Sequence, residues 1–474
     1  MKMEFKKILF AFLTLPFIGL AACSDDDKLS GQEYPPEAVN ETFNYEGLRF
    51  RVLPDNTVEV LMDPVPTQDD YGNPYYFSSY SGDIAIPEYV VYNDVKYSVS
   101  RIGEQAFFGS KVTIVDIPST VTTFGKGAFS YCSITDIKIP SSVTLIDDEC
   151  FKGVDYLSQI EIPESVTKIG KGAFSWSKIA TFNLPNSLTA IEEETFHMCR
   201  ALKEITLPEN IRQIGEKAFS SCLLLESVTL NENLLYIDDE AFENCYALKS
   251  FIVPDKVTVL GDKVLYNAKQ MTTLHIGSSV QEIGEEAFDL CQSLIDIKIS
   301  ENNGNFTYDG QVIYNKELTE IVFCRYDVES LVLPETIVTI PNDSFSNRSK
   351  LKSVILPANL QSIGDYAFTY DSLTEIVIPD KVKSIGRDAF SVNSIQKVVL
   401  GKSVEFIGDD AFNFNPITEV YCYNPQPPTL IVEGTYLNNP FGDQENLIIY
   451  VPQESLKLYQ ESPAWKDLKI EAIP

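Results

Sequence analysis

Histidine and positive charge are what this chain is short of. Only His197 and His275 occur in 474 residues, and neither has a sequence-defined partner. No G-x-S-x-G, H-E-x-x-H or phosphate-cradling glycine loop is present, so the common hydrolase and nucleotide-binding motifs are missing. Zinc needs convergent C-x-x-C or Cys/His ligands, and His197-Met198-Cys199 is only an isolated near-pair. No enzyme, cofactor or metal site is expected. Lys and Arg total 37 against 68 Asp and Glu, a formal net charge of −31. Phosphate is therefore repelled and no basic stripe appears, which excludes DNA and RNA as partners.

What is present is a period. The stretch 191–213, IEEETFHMCRALKEITLPENIRQ, is followed at Ile214 by the same pattern. Its parts are I-x-x-x-[AT]-F, a small residue at Cys199, an L-x-x-I-x-L run at Leu202, Ile205 and Leu207, then Pro208 and Ile211. Copies open at Ile102, Phe124, Ile146, Ile169, Ile191, Ile214, Ile237, Leu260, Ile283, Ile340, Ile363, Ile385 and Ile407, spaced 22 or 23 apart with one gap of 57. A unit of this length cannot bury its apolar face alone, and stacking supplies the core. The expected fold is a leucine-rich repeat solenoid, α/β but mostly β, with a parallel strand ladder and short helical or 3₁₀ turns. Ile205 and Leu207 should face inward and Glu204 and Thr206 outward.

The wording I-G-[DE]-x-A-F-x-x-C-x-x-L-x-x-I-x-[IL]-P-x-x-V resembles the BspA-type leucine-rich repeat family. It stands almost unaltered at Ile214-Gly215-Glu216, Ala218-Phe219, Cys222, Leu225, Val228 and Leu230. The resemblance covers roughly 102–422, and it implies a surface or secreted adhesion or ligand-binding protein without fixing a ligand.

Residues 1–22 read as a lipoprotein signal peptide, with Lys2, Lys6 and Lys7 before a short apolar run, Ile8 to Leu20, that cannot span a bilayer. Leu20-Ala21-Ala22-Cys23 resembles a bacterial lipobox, so Cys23 is the expected lipidation site and the membrane a partner through that lipid. Ser24, Asp25, Asp26 and Asp27 resemble the tag that sends lipoproteins of Gram-negative anaerobes to the outer face. The expected location is the outer membrane, facing the exterior. Residues 23–41 form the anchor and acidic tether, 42–100 an N-terminal β cap with a hairpin turning at Asn93-Asp94, 101–422 the repeats, and 423–474 a C-terminal cap. An enlarged unit near 301–330 is either a ligand-contacting protrusion or a bend.

Carboxylates recur in the turn segment, at Asp147 and Asp148, Glu192 and Glu193, Asp238 and Asp239, Glu285 and Glu286, and Asp409 and Asp410. They fit helix N-termini better than a calcium row, because no calcium-loop spacing appears. A carboxylate pair for glycoside cleavage is likewise better explained by repetition. Cys132, Cys199, Cys222, Cys245 and Cys291 share one repeat position, which Ser110, Val154, Ser177 and Ala268 fill elsewhere. Small packed thiols are expected there rather than disulfides.

Lining up the outward residue of each strand gives Asp116, Lys138, Glu161, Asn183, Thr206, Thr229, Ile252, His275 and Lys298, an ordinary solvated face. The row continues as Val332, Ile355, Val377, Val399 and Tyr421, five apolar residues with nothing in the repeat rule requiring them. Their flanking row, Ser353, Glu375, Lys397 and Glu419, is polar. An apolar centre with a charged rim reads as a protein interface. The expected function is therefore a non-catalytic surface lipoprotein that binds an extracellular protein, with glycan capture as the alternative.

Overall fold

The computed structural model describes residues 40–68, 74–431, 439–442, 444 and 446–474. The lipobox with Cys23 and the run Ser24, Asp25, Asp26 and Asp27 lie outside the described residues.

Each repeat contributes two strands and a turn segment. The L-x-x-I-x-L run supplies the longer strand, as in Glu204–Thr206, which pairs in parallel with Ser227–Thr229, Ile205 opposite Val228. Ile205 and Leu207 are buried and Glu204 and Thr206 exposed, as the two-residue alternation requires. The isoleucine opening each unit lies on a second, two-residue strand. Gln213–Ile214 pairs with Tyr236–Ile237 and that with Val259–Leu260, stacking Ile214, Ile237 and Leu260 in register. Between the ladders the phenylalanines of the A-F pairs form a column. Phe107, Phe129, Phe151, Phe174, Phe196, Phe219 and Phe242 stack with ring centroids 5.0–5.7 Å apart and nearly parallel planes. That spacing follows the rise between ladder strands.

The turn segment departs from the sequence expectation of helical or 3₁₀ turns. It is a tandem of β-turns. In one unit Ala218, Ser220 and Cys222 donate within the segment, to the carbonyls of Gly215, Lys217 and Phe219. The intervening Lys217, Phe219 and Ser221 donate instead to Asp239, Ala241 and Glu243 of the next unit, at 2.7–2.9 Å. Lys217 and Ser221 adopt positive φ, 55° and 59°, which a right-handed helix forbids. The segment is thus a third side of the ladder. The only α-helix among the described residues is Leu456–Glu461.

At the N-terminal end, antiparallel strands Thr42–Tyr45, Leu48–Val52 and Thr57–Leu61 lead into the second ladder, because Thr57–Leu61 pairs in parallel with Val95–Ile102. The hairpin Tyr89–Tyr92 to Val95–Ile102 turns at Asn93 and Asp94, both at positive φ. Ser81–Ala85 begins the longer ladder by pairing with Lys111–Asp116. At the other end Glu419–Cys422, Ile448–Val451 and Ile470–Ala472 extend that ladder. Tyr459 of the short helix and Trp465 are fully buried there, and the Trp465 indole N–H donates to the Pro428 carbonyl at 2.9 Å.

The enlarged unit is neither a protrusion nor a simple bend. Phe306–Tyr308, Val312–Asn315 and Ile321–Cys324 form an antiparallel meander set between two repeat arrays. Ile313, Phe323 and Tyr326 pack into the core of the first array, and Val312, Tyr314 and Cys324 into that of the second. Alternate side chains of one strand therefore serve two different cores. Asn303, itself buried, anchors the entry. Its amide donates to Gly277 and Val280 carbonyls, and its oxygen accepts from Asn305 and Phe306 N–H groups.

Candidate interaction surface

The second array presents its longer strands side by side. Val332 lies opposite Ile355, Val377 opposite Val399, Val399 opposite Tyr421, and Tyr421 opposite Tyr450. Val332, Ile355 and Val377 are 64%, 63% and 56% exposed, so neither the inserted meander nor the C-terminal cap covers them. Val399 and Tyr421 are half-buried. Tyr450 belongs to the same row and sequence reasoning passed over it, although the alternation L-I-I-Y-V already pointed it outward. Its ring stacks on Tyr421 at 4.9 Å, and the Lys397 ammonium sits 4.8 Å over the Tyr421 ring. Burial and the neighbouring Glu419 carboxylate raise the Tyr421 phenol above its ordinary range, so the hydroxyl stays neutral.

Around this ridge the charges alternate. Glu375, Lys397 and Glu419 stand opposite one another on successive strands. Lys402 pairs with Asp380 at 2.9 Å on one flank and Lys352 with Glu329 at 2.9 Å on another. These exposed pairs contribute little stability, but they fix the polarity of the rim. The first array offers no comparable ridge, since Ile252 is a lone exposed apolar residue between Thr229 and His275 in that row.

The other residues singled out from sequence fall into structural roles. Without helices to cap, the carboxylates of the turn segment meet backbone instead. Oδ1 of Asp148, Asp239, Asp262 and Asp365 each accepts an N–H one unit further on, from Lys171, Asp262, Glu285 and Arg387, all at 2.8 Å. Among the described residues no three His, Cys, Asp or Glu side chains gather as metal ligands. His197 lies in a turn segment and His275 on a strand, where its Nε2 stands 3.9 Å from Asp296. Burial lowers the His197 pKa, against the pull of Glu194 and Glu243.

All eight cysteines of the described residues are buried free thiols. Cys222 and Cys245 point their thiols at the Phe196 and Phe219 carbonyls of the preceding unit, at 3.0 and 3.2 Å. Burial pushes the Cys132 and Cys291 thiols up to about 12, which leaves them unreactive. A groove of about 410 Å³ runs over the second ladder of the C-terminal array, across Gly364, Gly386 and Gly408. Packing between units accounts for these glycines, because a Cβ on Gly386 would stand 2.5 Å from the Asp365 nitrogen.

A model of the BspA type leucine rich repeat region, six copies long, matches residues 90–203, 189–310 and 316–425. The chain belongs to the BspA-type leucine-rich repeat family. The matched blocks stop and resume on either side of the strand Val312–Asn315, where the inserted meander crosses between arrays. Several solved structures are similar to this BspA-type chain. A leucine-rich repeat protein from Bacteroides ovatus is 25% identical with a TM-score of 0.48, covering 91% of this chain and 100% of that one. A leucine rich cell surface protein from Faecalibacterium prausnitzii is 21% identical with a TM-score of 0.44, over 92% and 95%. The pneumococcal vaccine antigen PcpA is 21% identical with a TM-score of 0.42, over 92% and 99%. No curated protein matches the chain. Within the BspA-type repeat rule the ridge from Val332 to Tyr450 is a local addition, because the outward strand position elsewhere is mostly polar.

Proposed function

We propose that this BspA-type protein is a non-catalytic, surface-anchored scaffold that binds an extracellular protein through the strand face of its second array. The observation that carries the reading is the run Val332, Ile355 and Val377, more than half exposed on neighbouring strands and continued by Val399, Tyr421 and Tyr450. Strand propensity explains β-branched residues at such positions. It does not explain their clustering in one array with two stacked tyrosines at the end. A flat apolar row with alternating charges beside it suits a protein surface, whose buried core is apolar and whose rim is polar. Solenoids use this face for extended partners. Anchoring rests on the lipobox ending at Cys23 and on the run Ser24 to Asp27, which fit an outer-membrane lipoprotein facing outward.

The test is a binding screen of the lipid-free body against extracellular-protein arrays, repeated with Ile355→Asp combined with Val377→Asp. Partner binding is expected to vanish with the melting temperature nearly unchanged. Retained binding, or a double variant that unfolds, would overturn the site. In cells Cys23→Ala should release the protein from membranes, and unchanged membrane association and mass would remove the lipid anchor from the proposal.

A further inference from the structure

The turn segments of the first array form an edge separate from the ridge, and its surface residues follow a pattern of their own. The second left-handed position of each unit is Gly109, Tyr131, Gly153, Trp176, Met198, Ser221, Asn244, Asn267 and Leu290, with φ between 56° and 67° for all but Tyr131 at 55°. Rings and glycines alternate at its start. Phe77, from the strand Pro74–Ser78, lies on Gly109, where an added Cβ would meet its ring at 2.0 Å. The Tyr131 ring lies over Gly153 in the same way, 2.4 Å from where a Cβ would stand. The Trp176 ring leans toward the following unit, 6.3 Å from the His197 ring and 5.2 Å from the Arg200 guanidinium. Phe77, Tyr131 and Trp176 thus recur at every second unit, with the half-buried Phe108 ring between the first two, 5.8 Å from each.

Packing accounts for part of the arrangement, because Phe77 and Tyr131 both lie on Phe108. Tyr131 is still 50% and Trp176 40% exposed, in a left-handed backbone that costs each of them roughly 1–2 kcal/mol that glycine avoids. Successive units lie about 4.8 Å apart, so rings on alternate units are spaced by about 10 Å. In an extended β-linked polysaccharide the same pyranose face returns once per disaccharide, at about this interval. Polar groups accompany the rings along this edge. The Arg200 guanidinium lies over one face of the Trp176 ring, leaving the other for a ligand, Lys152 pairs with Glu149, and past Trp176 come Ser221 and the bonded amides of Asn244 and Asn267. The formal charge of −31 disfavours an anionic chain.

We infer that this edge is a second binding surface, for a neutral, extended, β-linked glycan stacked on Phe77, Tyr131 and Trp176. It is independent of the protein-binding ridge, which lies on the strand side of the other array.

The chain carries its own reporter. Trp176 and Trp465 are its only tryptophans, and Trp465 is wholly buried under the C-terminal cap. Titration with cellohexaose, xylohexaose and chitohexaose should shift Trp176 fluorescence saturably for at least one of them and protect it from iodide, while α-linked maltohexaose should not. Tyr131→Ala should weaken binding about ten-fold and Tyr131→Phe should restore it. Trp176→Ala, followed by affinity electrophoresis, should behave as Tyr131→Ala does. Ile355→Asp with Val377→Asp should bind the glycan as the wild type does. No response to any β-linked hexaose at millimolar concentration, an equal response to maltohexaose, or unchanged affinity in the alanine variants would overturn the inference.

Discussion

Asp371 stands at a position that most other units fill with a neutral small or amide side chain and the unit before it fills with Arg348. At the equivalent position Asn393 and Asn415 donate their amides to the Phe368 and Phe390 carbonyls of the preceding unit, at 2.7 and 2.8 Å. A carboxylate cannot donate that bond. Asp371 accepts the Arg348 N–H at 2.7 Å through Oδ1, while Oδ2 has no hydrogen-bond partner among the described residues. Burial pushes this carboxyl up to about 8, against the opposing N–H and charge of Arg348. A folded pKa above the unfolded one means the native state holds its proton longer, so stability falls as pH rises from about 4 to about 8 and then levels off. Asp371→Asn keeps the acceptor, supplies the missing donor and removes that dependence. Above pH 8 the variant should be more stable by on the order of 1–3 kcal/mol, read from urea unfolding at pH 5, 7 and 8.5. A variant less stable at pH 8.5 would show instead that charge on Asp371 is needed beside the buried Arg348.

Among the elements, the phenylalanine column and the paired ladders hold each unit to the next. Phe219 sits between Phe196 and Phe242, with centroids at 5.2 and 5.0 Å, and no part of it is exposed. Phe219→Ala should cost about 3–5 kcal/mol, because neighbours fixed by two ladders cannot close the cavity. A loss below about 1 kcal/mol in chemical denaturation would mean that the column does collapse. The ladders were legible in the sequence, since Leu202, Ile205 and Leu207 recur by a rule contained within one unit. The turn segment was not. Its decisive bonds, such as Phe219 N–H to the Ala241 carbonyl, join residues a full unit apart. An A-F pair preceded by acidic residues therefore read locally as a helix start. The ridge was legible by alternation alone, whereas the ring edge depended on Gly109 and Gly153 lying beneath side chains from elsewhere in the chain.

At the scale of the molecule, the meander makes two arrays out of one repeat series. Its signal in the sequence is the unbroken apolar run Val312-Ile313-Tyr314, the mark of a strand buried on both faces. All three side chains are fully buried. Further contacts tie the seam together: the Tyr326 hydroxyl accepts the Leu290 N–H at 2.8 Å from the first array, and the Arg348 guanidinium of the second lies 4.4 Å over the Tyr326 ring. Stability in a solenoid propagates through nearest neighbours, so damage to one face of the divider should spread to one side. Ile313→Asp places a carboxylate in the first core and should expose amides around Cys291 and Leu294 to hydrogen exchange, leaving Leu351 and Ile363 protected. Val312→Asp faces the other core and should reverse the pattern, opening Leu331 and Ile337 first. If both variants instead lose protection uniformly from Ile102 to Cys422, the meander joins the arrays into one cooperative unit rather than dividing them.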